Sequence, residues 1–120
     1  MQAERDLQKA ENGLVIKDWD GVAFWSQQVA EKALKALLLR WGQLARTHNL
    51  LELGALISKE VGIDVGEVLS DLRELTIHYT VSRYPNAANA VPYELYDEAK
   101  ARELVERARR VLACVRRNLR

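Results

Sequence analysis

From Asp18 to Gly42 apolar residues return every three or four positions with no proline between them, the pattern of a long α-helix. On a 100° wheel Val22, Trp25, Val29, Ala33, Ala36 and Leu37 form one apolar face. Ala23, Ala30, Leu34, Leu38 and Trp41 widen that face beyond half the circumference. A helix so broadly apolar cannot lie on a surface, so other helices have to pack around it. Gln28, Glu31, Lys32 and Lys35 fill the remaining polar arc. Phe24 and Leu39 also point into it and need cover from a loop or from a second copy of the chain. Asp18 or Asp20 is placed to cap this helix, which reaches Trp41, and Gly42 to stop it.

The same periodicity predicts its neighbours. Ala3, Leu7, Ala10 and Leu14 mark a first helix from about Gln2 to Ile16, weakened near its end by Asn12-Gly13. Thr47 caps a shorter helix through Lys59 that ends at Gly62, and Asp64-x-x-Glu67 reads as a capping box opening a fourth. Val65, Val68, Leu72, Leu75 and Tyr79 give that helix its buried side. After Val81 the pattern breaks into Ser82-Arg83-Tyr84-Pro85-Asn86, Pro92 and scattered Ala and Asn, a connection of about 15 residues, long enough to suggest function. The last helix, about Asp97 to Asn118, carries Leu104, Val105, Ala108, Val111, Leu112, Val115 and Leu119 on one side, with Cys114 as packing filler. No strand alternation or internal repeat is present. The expected fold is all-α, an up-and-down bundle of four to five helices in a single domain over residues 1–120.

Composition narrows the setting. With 48% apolar and 29% charged residues and only two prolines, the chain reads as ordered and globular. Apolar runs such as Ala36 to Leu39 fall far short of the roughly 20 residues of a membrane span, and Lys9 and Glu11 interrupt any signal-peptide core. The lone Cys114 excludes an internal disulfide, and no Cys/His pair has zinc-ligand spacing. A reducing cytoplasm, without cofactor or metal, is the expected setting.

Paired catalytic carboxylates, phosphate-cradling glycine loops and nucleophile elbows are absent, which leaves three features. The first is Arg73-Glu-Leu-Thr-Ile-His78, at the end of the fourth helix. An imidazole transfers protons near neutral pH and a guanidinium holds a phosphate, the minimum for metal-free RNA cleavage. Five residues on a regular helix set two side chains about 140° apart, so one chain aims both at one atom only if the helix ends or distorts, and a two-fold dimer offers another route. The alternative is that Arg73 meets a surface carboxylate while His78 hydrogen-bonds near a helix end. The second feature is the long connection with Arg83, Tyr84, Tyr93 and Tyr96. A guanidinium beside aromatic faces suits bases and phosphates, and tyrosines equally serve to pin a loop onto a bundle. The third is a basic stripe on the last helix, Arg102, Arg109, Arg110, Arg116, Arg117 and Arg120, fit for nucleic acid or for a solvated face. His48 reads as a residue that opens a helix.

The run Phe24-Trp-Ser-Gln-Gln-Val-Ala-Glu-Lys-Ala-Leu-Lys-Ala-Leu-Leu-Leu39, then Gly42 and Thr47-His-Asn-Leu50, closely resembles the core signature of the HEPN domain, the higher eukaryotes and prokaryotes nucleotide-binding family. His78-Tyr79, Ser82-Arg-Tyr-Pro85 and Pro92-Tyr93 resemble its small stand-alone prokaryotic branch. The resemblance implies a helical bundle that forms a homodimer and pairs with a small nucleotidyltransferase in a toxin–antitoxin-like system. It further implies binding of RNA or a nucleotide, with Tyr79, Arg83, Tyr84 and Tyr93 as contacts. Ribonuclease members carry Arg-x(4 to 6)-His at this helix end. That motif would make Arg73 the phosphate stabiliser and His78 the proton-transfer residue of a metal-independent endoribonuclease; other members are non-catalytic binding subunits. Glu74 stands after the arginine, where ribonuclease members usually carry Asn, Asp or His.

Overall fold

A computed structural model describes residues 1–82 and 95–120. Its helices are α1 (Gln2–Val15), α2 (Trp19–Arg40), α3 (Leu50–Leu56), α4 (Leu69–Thr76), α5 (His78–Val81, a single turn) and α6 (Glu98–Leu119), with no strand among the described residues. The all-α bundle expected from the apolar periodicity is the fold.

The long helix α2 is the centre. α1, α3, α4 and α6 pack around it, α4 also against α6, and leucines of α2, α3, α4 and α6 meet in one core: Leu34, Leu37, Leu38, Leu50, Leu53, Leu72, Leu75, Leu104 and Leu112 are fully buried. Burying such a side chain contributes about 1.5–3 kcal/mol, which makes this cluster the main source of stability. A smaller cluster of Ala10, Val22, Ala101 and Val105 closes the α1–α2–α6 side under Trp19 and Trp25. Gly13 belongs to that contact. A Cβ there would lie 2.7 Å from Val22 Cγ2, so the glycine that weakens α1 locally is what lets the two helices approach.

The helix boundaries follow local chemistry, with two departures from the sequence reading. The Asp18 carboxylate accepts from Gly21 N–H at 3.3 Å and caps α2 as expected. α3, however, begins at Leu50 and is capped by Asn49, not by Thr47. Asn49 Oδ1 accepts from the amides of Leu51 and Glu52 at 2.9 and 3.3 Å, while Thr47 Oγ1 braces the preceding turn by accepting from Asn49 N–H. A wide π-type turn, Ile57–Val61, extends α3 to Gly62, whose φ of +78° is the left-handed conformation that ends a helix most readily at glycine. Nor does Asp64-x-x-Glu67 close as a reciprocal box. Asp64 Oδ1 accepts from Gly66 N–H at 2.7 Å, but Glu67 pairs with Arg117 of α6, so a 3₁₀ turn over Gly66–Val68 precedes α4.

Two expectations about exposure also change. Phe24 is half-buried among the rings of Trp25 and Tyr79, whereas Leu39 stays 59% exposed at the end of α2. The polar arc of α2 is not a solvated strip: Gln28 and Glu31 are buried, as are Ser26 and Gln27 beside them. No helix among the described residues is long and apolar enough to cross a membrane.

Candidate functional site

α4 stops one residue before His78, at Ile77, and the chain resumes as the single turn α5. The break does not bring Arg73 and His78 to one side. Arg73 is exposed and has no ion-pair partner among the described residues, whereas His78 is only 4% exposed. His78 Nδ1 and the hydroxyl of the buried Tyr96 are hydrogen-bonded at 2.6 Å, with the rings edge to face, and Nε2 is buried without a partner among the described residues. Burial, with a smaller push from the Lys100 ammonium, lowers the imidazole to about 4 against the opposing pull of Glu74 and Glu103. Such a ring is neutral at pH 7, is a weak base, and lies beneath the surface. Tyr96 is 3% exposed and burial pushes its phenol up to about 12, so this tyrosine ties the chain before α6 onto the bundle. Glu74, the residue that departs from the ribonuclease pattern, faces Lys100 at 3.4 Å.

A second histidine stands differently. His48, between α2 and α3, is half-exposed, and its Nδ1 lies 3.0 Å from both carboxylate oxygens of Glu31. Glu31 is 2% exposed and also accepts from Lys35 Nζ at 3.0 Å and from Gln27 Nε2 at 3.2 Å. Burial alone would raise this carboxyl, but hydrogen bonds from Lys35, His48 and Gln27 outweigh it and hold Glu31 below the ordinary glutamate range. Gln27 Nε2 donates to the His48 carbonyl as well, at 3.1 Å, and the His48 ring lies parallel to Tyr79 with centroids 3.8 Å apart. His48, Asn49, Thr76, Ile77, Tyr79 and Thr80 line an open cleft of about 270 Å³. Ile77, which follows Arg73 by four positions at the end of α4, is one of the residues that line this cleft.

The HEPN domain family matches residues 1–118 of the chain. The chain belongs to the HEPN family. Two solved structures share its fold. TT1696 from Thermus thermophilus is 32% identical, with a TM-score of 0.89 over 98% of this chain and 92% of its own. ST0689, described as an archaeal HEPN homologue, is 34% identical, with a TM-score of 0.80 over 99% of this chain and 93% of its own. A comparison with curated proteins gives no significant match.

Of the residues that the sequence marks in this HEPN chain, Tyr79 lines the cleft, Arg73 is exposed on α4 four positions before the cleft residue Ile77, and His78 faces the interior. Arg83, Tyr84 and Tyr93 lie outside the described residues. Four arginines of the basic stripe on α6 pair with carboxylates of other elements, while Arg102 pairs with Glu98 of α6 itself. Arg109 reaches Glu11 at 2.9 Å, Arg116 reaches Glu4 at 3.3 Å, Arg117 pairs with Glu67, and Arg107 and Arg110 grip Asp71 at 3.0 and 2.8 Å. No cluster of three or more His, Cys, Asp or Glu that could hold a metal occurs among the described residues. What sequence reasoning missed is the Glu31–His48 pair. Its members are 17 positions apart, and the only available signal was an acid in the polar arc of α2 and a histidine in the Thr47-His-Asn-Leu50 run.

Proposed function

We propose that this HEPN protein is a binding subunit for RNA or a nucleotide, working as a homodimer beside a small nucleotidyltransferase in a toxin–antitoxin-like pair. In this reading it does not cleave RNA through Arg73 and His78. The observation that carries the reading is the contrast within that pair. Arg73 offers an exposed guanidinium with no ion-pair partner among the described residues, on the helix whose end lines the cleft, while His78 is buried, tied to Tyr96 and held neutral. A guanidinium is the group suited to a phosphate, and holding a phosphate requires no proton transfer. The family match supports the nucleotide or RNA ligand and the partnered assembly, and the exposed Leu39 at the end of α2, with Trp41 and Leu44 just beyond it, supports association with another chain.

The test is fluorescence anisotropy with a labelled single-stranded RNA, alongside incubation of the same RNA in EDTA. Removing one charge-assisted phosphate contact costs about 1.5 kcal/mol, so Arg73→Ala should weaken binding roughly tenfold and flatten its salt dependence. His78→Ala should leave any products in EDTA unchanged. Unaltered affinity in Arg73→Ala, or cleavage that disappears in both Arg73→Ala and a folded His78→Ala, would overturn the reading.

A further inference from the structure

The Glu31–His48 pair has a chemistry of its own. An ionised carboxylate only accepts, and Glu31 already takes hydrogen bonds from Lys35 and Gln27, so the neutral His48 ring must carry its proton on Nδ1. Nε2 then presents a lone pair. It has no partner among the described residues and belongs to a half-exposed side chain that lines the cleft. The ring cannot readily turn away: Glu31 holds its Nδ1 edge, Tyr79 covers one face, and Gln27 anchors its carbonyl. Two neighbouring side-chain oxygens of the cleft accept from backbone, Thr76 Oγ1 from Leu50 N–H at 2.9 Å and Asn49 Oδ1 from the first amides of α3. A fixed acceptor of this kind is matched by a hydroxyl. A phosphate oxygen brings no proton and is not held by it.

We infer that His48, oriented by Glu31, is a specificity-determining residue that accepts a hydrogen bond from a ribose hydroxyl, so that the cleft selects ribonucleotides over 2′-deoxyribonucleotides. The inference rests on the binding reading above, with Arg73 at the phosphate and His48 at the sugar. It assigns the pair a task that neither the family match nor the Arg73–His78 motif contains.

Because the cleft is open, the hydrogen bond is partly screened, and its loss should cost about tenfold in affinity. The experiment measures anisotropy at pH 8, using an RNA oligonucleotide and its 2′-deoxy counterpart of identical bases. Wild type should prefer the ribose strand about tenfold. His48→Phe, which keeps a ring to stack on Tyr79 but offers no acceptor, should bind both strands with the affinity wild type shows for the deoxy strand. His48→Ala, at a half-exposed position, gives the same reading should the phenylalanine variant not fold. Equal binding of both strands by wild type, or a preference that survives loss of the imidazole, would overturn this inference and leave the binding function standing. No binding of either strand by wild type would overturn both.

Discussion

The buried imidazole of His78 makes a quantitative demand on stability. Its pKa lies near 4 in the fold against about 6.5 in an unfolded chain, so the unfolded state binds the proton more tightly and acid pulls the equilibrium toward unfolding. The sign follows directly: the contribution is fully present above pH 6.5, falls through the window from 6.5 to 4, and is lost below it. A shift of about 2.5 units at 1.36 kcal/mol each amounts to about 3 kcal/mol over the whole window, of which about 2 kcal/mol is gone by pH 5. For a chain of this length, unfolding entropy near 0.25 kcal/mol/K converts that loss to a fall in Tm of about 8 °C.

Circular-dichroism melts of wild type and His78→Asn between pH 7.5 and 5 test this value. Asparagine does not titrate and can still hydrogen-bond to Tyr96. Lys100, Glu74 and Glu103, which face His78, remain in both proteins, as does Glu31, whose lowered carboxyl adds acid sensitivity of its own. The difference between the two curves therefore isolates the imidazole. Wild type should lose about 8 °C relative to the variant as the pH falls to 5. Parallel curves, agreeing within about 2 °C across the range, would refute both the burial argument and the conclusion that His78 is too poor a base for RNA cleavage.

Asp71→Ala should cost about 2 kcal/mol in urea unfolding, because this nearly buried carboxylate holds Arg107 and Arg110 together across the α4–α6 contact; a loss below about 0.5 kcal/mol would mean the bridges are mere surface pairs. Light scattering should give twice the monomer mass for the isolated chain and a larger complex with the small nucleotidyltransferase proposed as its partner. Leu39→Glu, placing a charge at the exposed end of α2, should reduce the dimer, and a wild-type monomer at working concentration would remove the dimer from the functional account.

How far the molecule could be read from its sequence depended on how local each determinant is. Apolar periodicity along α2 and α6 is decided within one helix, so the bundle and its central element were legible, as were the Asp18 cap and the Gly62 stop. The Asp64 box failed because Glu67 has a competing partner, Arg117, 50 residues away. The spacing of Arg73 and His78 already implied divergent side chains, and the fold keeps that divergence, with one group in solvent and the other in the core. Burial of Glu31 could not be foreseen. It depends on the chain before α3 crossing α2, where the His48 carbonyl meets Gln27, and no pattern within α2 records that crossing.

The two buried acids Asp71 and Glu31 separate structural from ligand-directed polarity in this bundle. A buried ion pair is weak evidence for stability, since desolvation offsets much of the attraction, so the identity of the partner says more than the pairing itself. Asp71 joins two core helices through arginines whose stems pack along α6, and its removal loosens that contact. Glu31 makes no comparable bridge between helices. It takes donors from its own helix, Gln27 and Lys35, and beyond that helix it grips His48, a half-exposed side chain outside the core. Holding such a ring in one orientation and one tautomer adds little to the bundle, but it fixes an acceptor at the cleft wall. On that ground the proposed ligand contacts are placed at His48, oriented by Glu31, and at the exposed Arg73, while the histidine of the linear motif is buried against Tyr96.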